Sequence, residues 1–204
     1  EIDPDGPPRG IRRRPGGGYA VSKYSAYAID ATDLAQARAQ CSAQPLRQSV
    51  EGAIMDIADD IAYSLHDLDD FYRAGLLNQA AISGEFRAWR RERAQLRRAD
   101  TASVGARGRT PGYSLEMLWR RLAERDPWIA DADAFDAAVE KVSDEVIDGL
   151  LTVPFDGSLA ADRALARFTS EWIRHLQASV EVHREPAFRS GHISLNRTAW
   201  HEVA

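Results

Sequence analysis

Between Ser49 and Tyr72 the apolar residues Val50, Ile54, Ile57, Ile61, Leu65, Leu68 and Tyr72 recur at spacings of three and four. That is the period of one face of an α-helix. The stretch is therefore read as a single long amphipathic helix, stopping near Gly75. Such a helix must lay its apolar stripe on something, which commits the rest of the chain to supplying a helical core.

The remaining pattern supplies it. A second helix is expected from about Leu76 into the basic segment Arg87 to Arg98. Ser114 can cap a third running through Arg125, ended by Asp126-Pro127. Asp131 or Asp133 can cap a fourth, with Phe135, Val139, Val142, Val146 and Leu150 on one side. Pro154-Phe155-Asp156-Gly157 reads as a turn, and Ser158 can cap a last helix with Leu165, Phe168, Trp172, Leu176 and Val180 inward. A short helix from Asp30 to Gln40 fits before Pro45. The expected fold class is all-α, with five or six helices and no internal repeat. His192-Ile193-Ser194-Leu195 alternates as a short strand does.

Three segments follow. Residues 1–48 are loop-rich: Pro4, Pro7, Pro8, Gly10, Pro15 and the Gly16-Gly17-Gly18 run oppose regular structure, with Arg12-Arg13-Arg14 between them. That stretch reads as a linker or as a basic clamp for phosphate, and the Tyr-rich Val21 to Ile29 as a strand or a docked loop. Residues 49–185 form the helical domain, and 186–204 an irregular tail.

Composition narrows the class. The 204 residues carry 26 Lys+Arg against 31 Asp+Glu, a net charge of −5, with 44% hydrophobic residues. That is a globular balance, and its acidity weakens a general nucleic-acid role. The single cysteine, Cys41, excludes a disulfide scaffold and a Cys-rich zinc module, and points to a reducing, cytoplasmic compartment. Cys41 has no histidine within twenty residues to activate it as a nucleophile. No apolar run of membrane-spanning length occurs.

The long helix has an unusual second side. Opposite the apolar stripe, Asp59, Asp70, Tyr63, Asp56, Asp67 and Asp60 fall within about 100° of arc. Asp59, Tyr63 and Asp67, at i, i+4 and i+8, stack along one line. An acidic side opposite an apolar stripe is ordinarily a solvated surface. Yet aspartate is a mediocre helix former, and like charges three or four apart repel. Short, rigid carboxylates in that density equally suit a cation or a hydroxyl-bearing ligand.

The string Asp56-Ile-Ala-Asp59-Asp60-Ile-Ala-Tyr63-Ser-Leu-His66-Asp67-Leu-Asp69-Asp70 resembles the last metal-binding helix of the HD-domain deoxynucleoside triphosphate triphosphohydrolases, the dGTPase family. The close likeness covers residues 49–77; Lys23-Tyr24-Ser-Ala-Tyr27 fits more loosely. The resemblance implies a helical HD-like bundle and hydrolysis of a dNTP, dGTP above all, to deoxynucleoside and triphosphate. It makes Asp59 a metal ligand, Tyr63 the ring that packs on the deoxyribose, and Asp67 the acceptor for the sugar 3′-hydroxyl. A carboxylate suits Mg or Mn, and added imidazoles admit Fe or Co. A homo-oligomer is implied as well.

His66-Asp67 is a His-Asp dipeptide, but not the family's signature pair, which lies on an earlier helix. His66 is left with either a site-facing or a solvent-facing role. The family's first His and its His-Asp pair have no counterpart here, because no histidine precedes Asp59, and His175, His183, His192 and His201 stand singly. The catalytic proton-transfer residues are expected upstream too. The chain starts at Glu1 rather than Met, so the expectation is a C-terminal portion of such an enzyme. The alternative is a catalytically inactive helical module serving assembly or nucleotide and nucleic-acid binding.

Three further features have ordinary explanations beside functional ones. Arg87-Ala-Trp-Arg90-Arg91-Glu-Arg93-Ala-Gln-Leu-Arg97-Arg98 can bind phosphates, or be a solvated side partnered by Glu85 and Glu92. Gly105 to Gly112 can cradle phosphate, but it lacks the Gly-Lys-Ser/Thr of a P-loop and reads as a loop. Trp119, Trp128 and Trp172 are expected as core or interface anchors.

Overall fold

The computed structural model describes residues 11–13, 19–21, 28–40, 50–106, 110–125, 128–187 and 191–204. The chain divides into two compact units, residues 1–49 and 50–204. In the first, β1 (Ile11–Arg13) and β2 (Tyr19–Val21) pair antiparallel, with Ile11 opposite Val21. A 3-10 turn, Ala28–Asp30, leads into α1 (Ala31–Gln40). The expected loop is therefore a hairpin at these two stretches, while Cys41 and Lys23 to Tyr27 lie outside the described residues. The helix expected over Asp30 to Gln40 is found.

The second unit is all-α apart from one hairpin. α2 runs Val50–Arg73, α3 Gln79–Leu96, α4 Thr101–Ala106, α5 Tyr113–Arg125, α6 Ala132–Val142, α7 Leu159–Ala178 and α8 Arg197–Val203. Beyond α6 the chain widens into a π turn at Ser143–Ile147 before a 3-10 turn at Leu150–Thr152. Two short helices, α4 and α8, were not expected from sequence. Both are too short to show a hydrophobic period.

Local chemistry fixes most ends. α2 stops at Gly75, whose φ of 66° is a left-handed conformation that glycine adopts without strain, with Leu76 N–H donating to Phe71 C=O. Asn78, Asp131, Ser158 and Asn196 each accept from a first-turn N–H of α3, α6, α7 and α8. Of the two aspartates considered for α6, Asp131 is the cap. α5 differs from expectation, because its capping carboxylate comes from another helix. Glu85 on α3 accepts from Gly112 N–H at 2.7 Å and Leu115 N–H at 3.0 Å. Ser114 instead lies inside the first turn. Gly112 sits so close to α3 that a Cβ there would come within 2.8 Å of Trp89 N.

The core has two clusters. One gathers Ile61, Leu65 and Tyr72 of α2 with Val146, Leu151, Leu165, Trp172, Leu176, Leu195 and Ala199. The other gathers Trp89, Leu96, Val104, Tyr113, Leu115, Phe135 and Val139. α2 thus lies on the first cluster by its middle and C-terminal turns. Tyr72 Oη donates to Val153 C=O at 2.6 Å. The stripe's first members, Val50 and Ile54, are 40% and 51% exposed, contrary to the even burial expected. Their period is correct, but the core ends before it reaches them.

The helix expected to be the last, α7, stops two residues before Val180, which was expected to face inward on it. Val180 instead opens β3 (Val180–Ala187), paired antiparallel with β4 (Gly191–Leu195) through Val180↔Leu195 and Val182↔Ile193. Asn196 N–H donates to Ser179 C=O at 2.8 Å and ties the hairpin's base to the helix end. Within 186–204, expected as an irregular tail, the short strand expected over His192 to Leu195 is found in β4, α8 follows it, and Leu195 and Ala199 belong to the core.

The buried charges are paired. Glu116, fully buried, accepts from Trp89 Nε1 and from Arg120 Nε. Arg120 also donates to Leu96 C=O and Ala99 C=O at the end of α3. Without such partners a buried carboxylate would bear a desolvation cost of several kcal/mol.

Leu65→Ala should lower stability by about 2–5 kcal/mol in chemical denaturation, and Ile54→Ala by about 0.5 kcal/mol or less, since only the first opens a core cavity. His201 gives a pH signature. Burial pushes its imidazole below the usual range, against the opposing pull of its hydrogen bond to Ile129 C=O and of Asp131. The unfolded chain therefore takes up the proton first. Stability holds above about pH 6.5 and declines as pH falls through the depressed folded value. Thermal melts of His201→Phe should lack that component of the decline.

Candidate functional site

α2 presents seven carboxylates, Glu51, Asp56, Asp59, Asp60, Asp67, Asp69 and Asp70, against a single arginine, Arg73. Arg73 is already occupied. Its Nε bonds Asp69 at 2.9 Å, its Nη1 bonds Asp162 of α7 at 2.6 Å, and its guanidinium lies over Phe155. Asp69 therefore serves the junction of α2 with α7 and leaves the acidic side.

Asp59, Tyr63 and Asp67 are all exposed, Tyr63 at 62%. They follow one another about 6 Å apart along the axis, since each step of four residues rises about 1.5 Å per residue. The helix is anchored from beneath by buried Ile61 and Leu65, which interleave with them in sequence. None of the three side chains has a hydrogen bond or ion pair among the described residues. Asp56 and Asp60, on the same side, do have partners. So the three residues singled out from sequence share one open, rigid line.

The other histidines do not join that line. His175 Nε2 lies 2.6 Å from the buried Glu202, His183 Nε2 lies 2.7 Å from Ser194 Oγ, and His201 Nε2 lies 3.0 Å from Ile129 C=O. The side chain of His192 is outside the described set. Among the described residues no three His, Cys, Asp or Glu side chains come together to hold a metal ion. The described residues of this unit therefore do not compose a metal site by themselves.

The basic run behaves as a structural side. Arg90 pairs with Glu140, Arg93 with Asp136, and Arg87 with Asp148. Arg97 bonds Asp136 and Ala132 C=O, and stacks over Trp89 and Trp119. Most of the run's partners come from α6 and the turn after it; of the two expected, Glu92 pairs with Arg91 and Glu85 instead caps α5. The open groove between α3 and α6, about 480 Å³, is lined by Arg90 and Arg93 together with Asp133, Asp136 and Glu140. Acid outnumbers base there, which does not suit phosphate.

The glycine-rich stretch likewise holds structure. Thr101–Ala106 is helix, and the Gly112 N–H is spent on Glu85. Trp172 is buried in the core, while Trp128 lies half-buried under Arg197. Sequence reasoning missed Glu85 and Glu116. Their signal would have been a carboxylate in a helix with no cation at the right spacing to hold it, which many surface residues share.

Two curated proteins are similar to this chain. Both are deoxyguanosinetriphosphate triphosphohydrolase-like proteins of Corynebacterium glutamicum, one of them from strain R. They are 43% and 41% identical to it over 61 residues. That span is 30% of this chain and 14% of each relative, so the chain matches only a small part of their length. No family model matches, and no solved structure matches. Among the described residues no helix is long and apolar enough to cross a membrane.

Arg97→Ala should destabilise the fold by about 1–3 kcal/mol, because it strips Asp136 of its closest cation. Arg91→Ala, which touches only exposed Glu92, should change denaturation midpoints little. Equal effects would show that the run is not held to α6.

Proposed function

We propose that this chain carries the sugar-binding edge of a metal-dependent deoxynucleoside triphosphate triphosphohydrolase. The reaction is hydrolysis of a dNTP, with dGTP the first substrate to try, to deoxynucleoside and triphosphate. The observation that carries the reading is the line Asp59, Tyr63, Asp67: exposed, uncommitted to other side chains, and set on a helix locked from below. The similarity to the two triphosphohydrolase-like proteins supports the same class.

In this reading Asp59 offers one oxygen ligand to Mg or Mn, or to Fe or Co where imidazoles complete the set. Its co-ligands come from outside residues 50–204. Such a metal, when bound, offsets phosphate charge. The work assigned to this chain is positioning. The Tyr63 ring gives the deoxyribose a flat apolar support, and Asp67 accepts a hydrogen bond from the 3′-hydroxyl one turn further on. With metal and sugar sites on one helix, the distance between the phosphate end and the 3′ end is fixed by the helix rise. The acidic line repels a triphosphate unless a cation intervenes, which makes the metal a condition for binding.

A second reading is a non-catalytic module for assembly or nucleotide binding. It is favoured by Val50, Ile54 and Met55, apolar side chains left 40%, 51% and 64% exposed at the start of α2. Self-association into a homo-oligomer would use the same patch. The pairing of the Arg87–Arg98 run weakens its nucleic-acid form.

The deciding measurement is triphosphate release from dNTPs by the intact natural protein, with and without added Mn²⁺ or Mg²⁺. Metal-dependent release is expected, with Asp59→Ala reducing it by at least about 100-fold, the scale of a lost metal ligand. Retained activity in that variant would refute the ligand role. No release under any metal, together with loss of self-association in Ile54→Glu, would favour the module.

A further inference from the structure

We propose that His66 is a further substrate-positioning residue of this site, sharing the sugar 3′-hydroxyl with Asp67. The inference rests on the reading of Tyr63 and Asp67 given above.

Three observations lead to it. His66 stands three residues after Tyr63 and Asp67 four residues after it. On a helix these are the two neighbours of Tyr63 on the next turn, each about 5–6 Å from it between Cβ atoms. They flank it on either side, about 100° of arc apart. A sugar ring resting on Tyr63 therefore meets both side chains at its far edge, the edge away from Asp59.

The second observation is availability. Of the four histidines whose side chains are described, His175, His183 and His201 are committed to Glu202, Ser194 and Ile129 C=O. His66 is exposed and makes no such bond among the described residues. It does not pair even with Asp70, its i+4 neighbour, although an imidazole and a carboxylate at that spacing can meet.

The third is chemical. A hydroxyl is one donor and two acceptor lone pairs. A carboxylate can only take its proton, so Asp67 alone leaves the oxygen's lone pairs unserved. An imidazole N–H on the other side of Tyr63 serves one of them. The acceptor and donor together recognise a hydroxyl, where a lone carboxylate would accept any donor. No other donor side chain stands at i+3 or i+4 from Tyr63.

The test compares two substrates for the intact natural protein with Mn²⁺: the dNTP turned over fastest, and its 2′,3′-dideoxy counterpart. His66→Ala should raise KM for the deoxynucleotide about 5- to 15-fold, the worth of one hydrogen bond of about 1–1.5 kcal/mol. It should leave the dideoxynucleotide unchanged, and His66→Gln, which keeps a donor, should recover part of the loss. The thermal midpoint of both variants should match the parent, since His66 is exposed and unpaired. An imidazole that merely attracts phosphate would shift both substrates equally, and that result overturns the proposal. So does no shift in either substrate while Asp67→Ala still abolishes the preference for a 3′-hydroxyl, and that outcome leaves the underlying reading intact. Absence of metal-dependent triphosphate release, or full activity in Asp59→Ala, removes both.

Discussion

Everything in residues 50–204 depends on α2 having two incompatible sides. Ile61, Leu65 and Tyr72 must leave water, and the aspartates between them must not. The conflict has one solution, a helix seated on a core with its acids outward. Burying the three apolar side chains against Leu165, Trp172 and Leu176 gives the helix a fixed orientation. Rotation by even one residue would bring Asp60 toward the cluster and Ile61 toward solvent. The same packing that stabilises the fold therefore aims Asp59, Tyr63, His66 and Asp67 outward. A site built on such an element is held more precisely than one built on a loop.

The electrostatics elsewhere follow a different rule. The arginines of α3 outnumber its acids, yet each of them has an acidic partner. Asp136, Glu140 and Asp148 draw the run against α6 and the turn after it. Glu116 and Arg120 do the same deeper in, where a buried pair also closes the carbonyl end of α3. The contrast with α2 is informative. Opposite charges in this unit have mostly found each other, and Asp59 and Asp67 stand out by having found none among the described residues. Mutual repulsion along that line is a standing cost, and an arriving cation or hydroxyl-rich ligand lowers it.

The link to triphosphohydrolase-like relatives rests on a short span, so the weight falls on the geometry of one helix. In the proposed reading its three residues would divide the labour of holding a nucleotide: an oxygen ligand at the phosphate end, a ring under the sugar, and an acceptor at the 3′ end. What the described residues do not hold is a complete ligand set for a metal. Under the proposed reading the site would be one-sided, an edge completed by groups beyond the described residues.

The period of α2, its acidic side and the caps at Asp131 and Ser158 were legible in the sequence. All are local: a helix repeats every 3.6 residues, and a cap acts within one turn. The candidate line Asp59, Tyr63, Asp67 was legible for the same reason, because a helix face follows from spacing alone. Tertiary structure alone decided where the core stops, and so why Val50 and Ile54 stay exposed although they keep the period. It assigned the α3 arginines to α6, moved the α5 cap from Ser114 to Glu85, and turned Val180 from helix to strand once Leu195 lay opposite. Each of these joins residues distant in sequence, where side-chain partners are set by the packing of whole elements, and no local period records it.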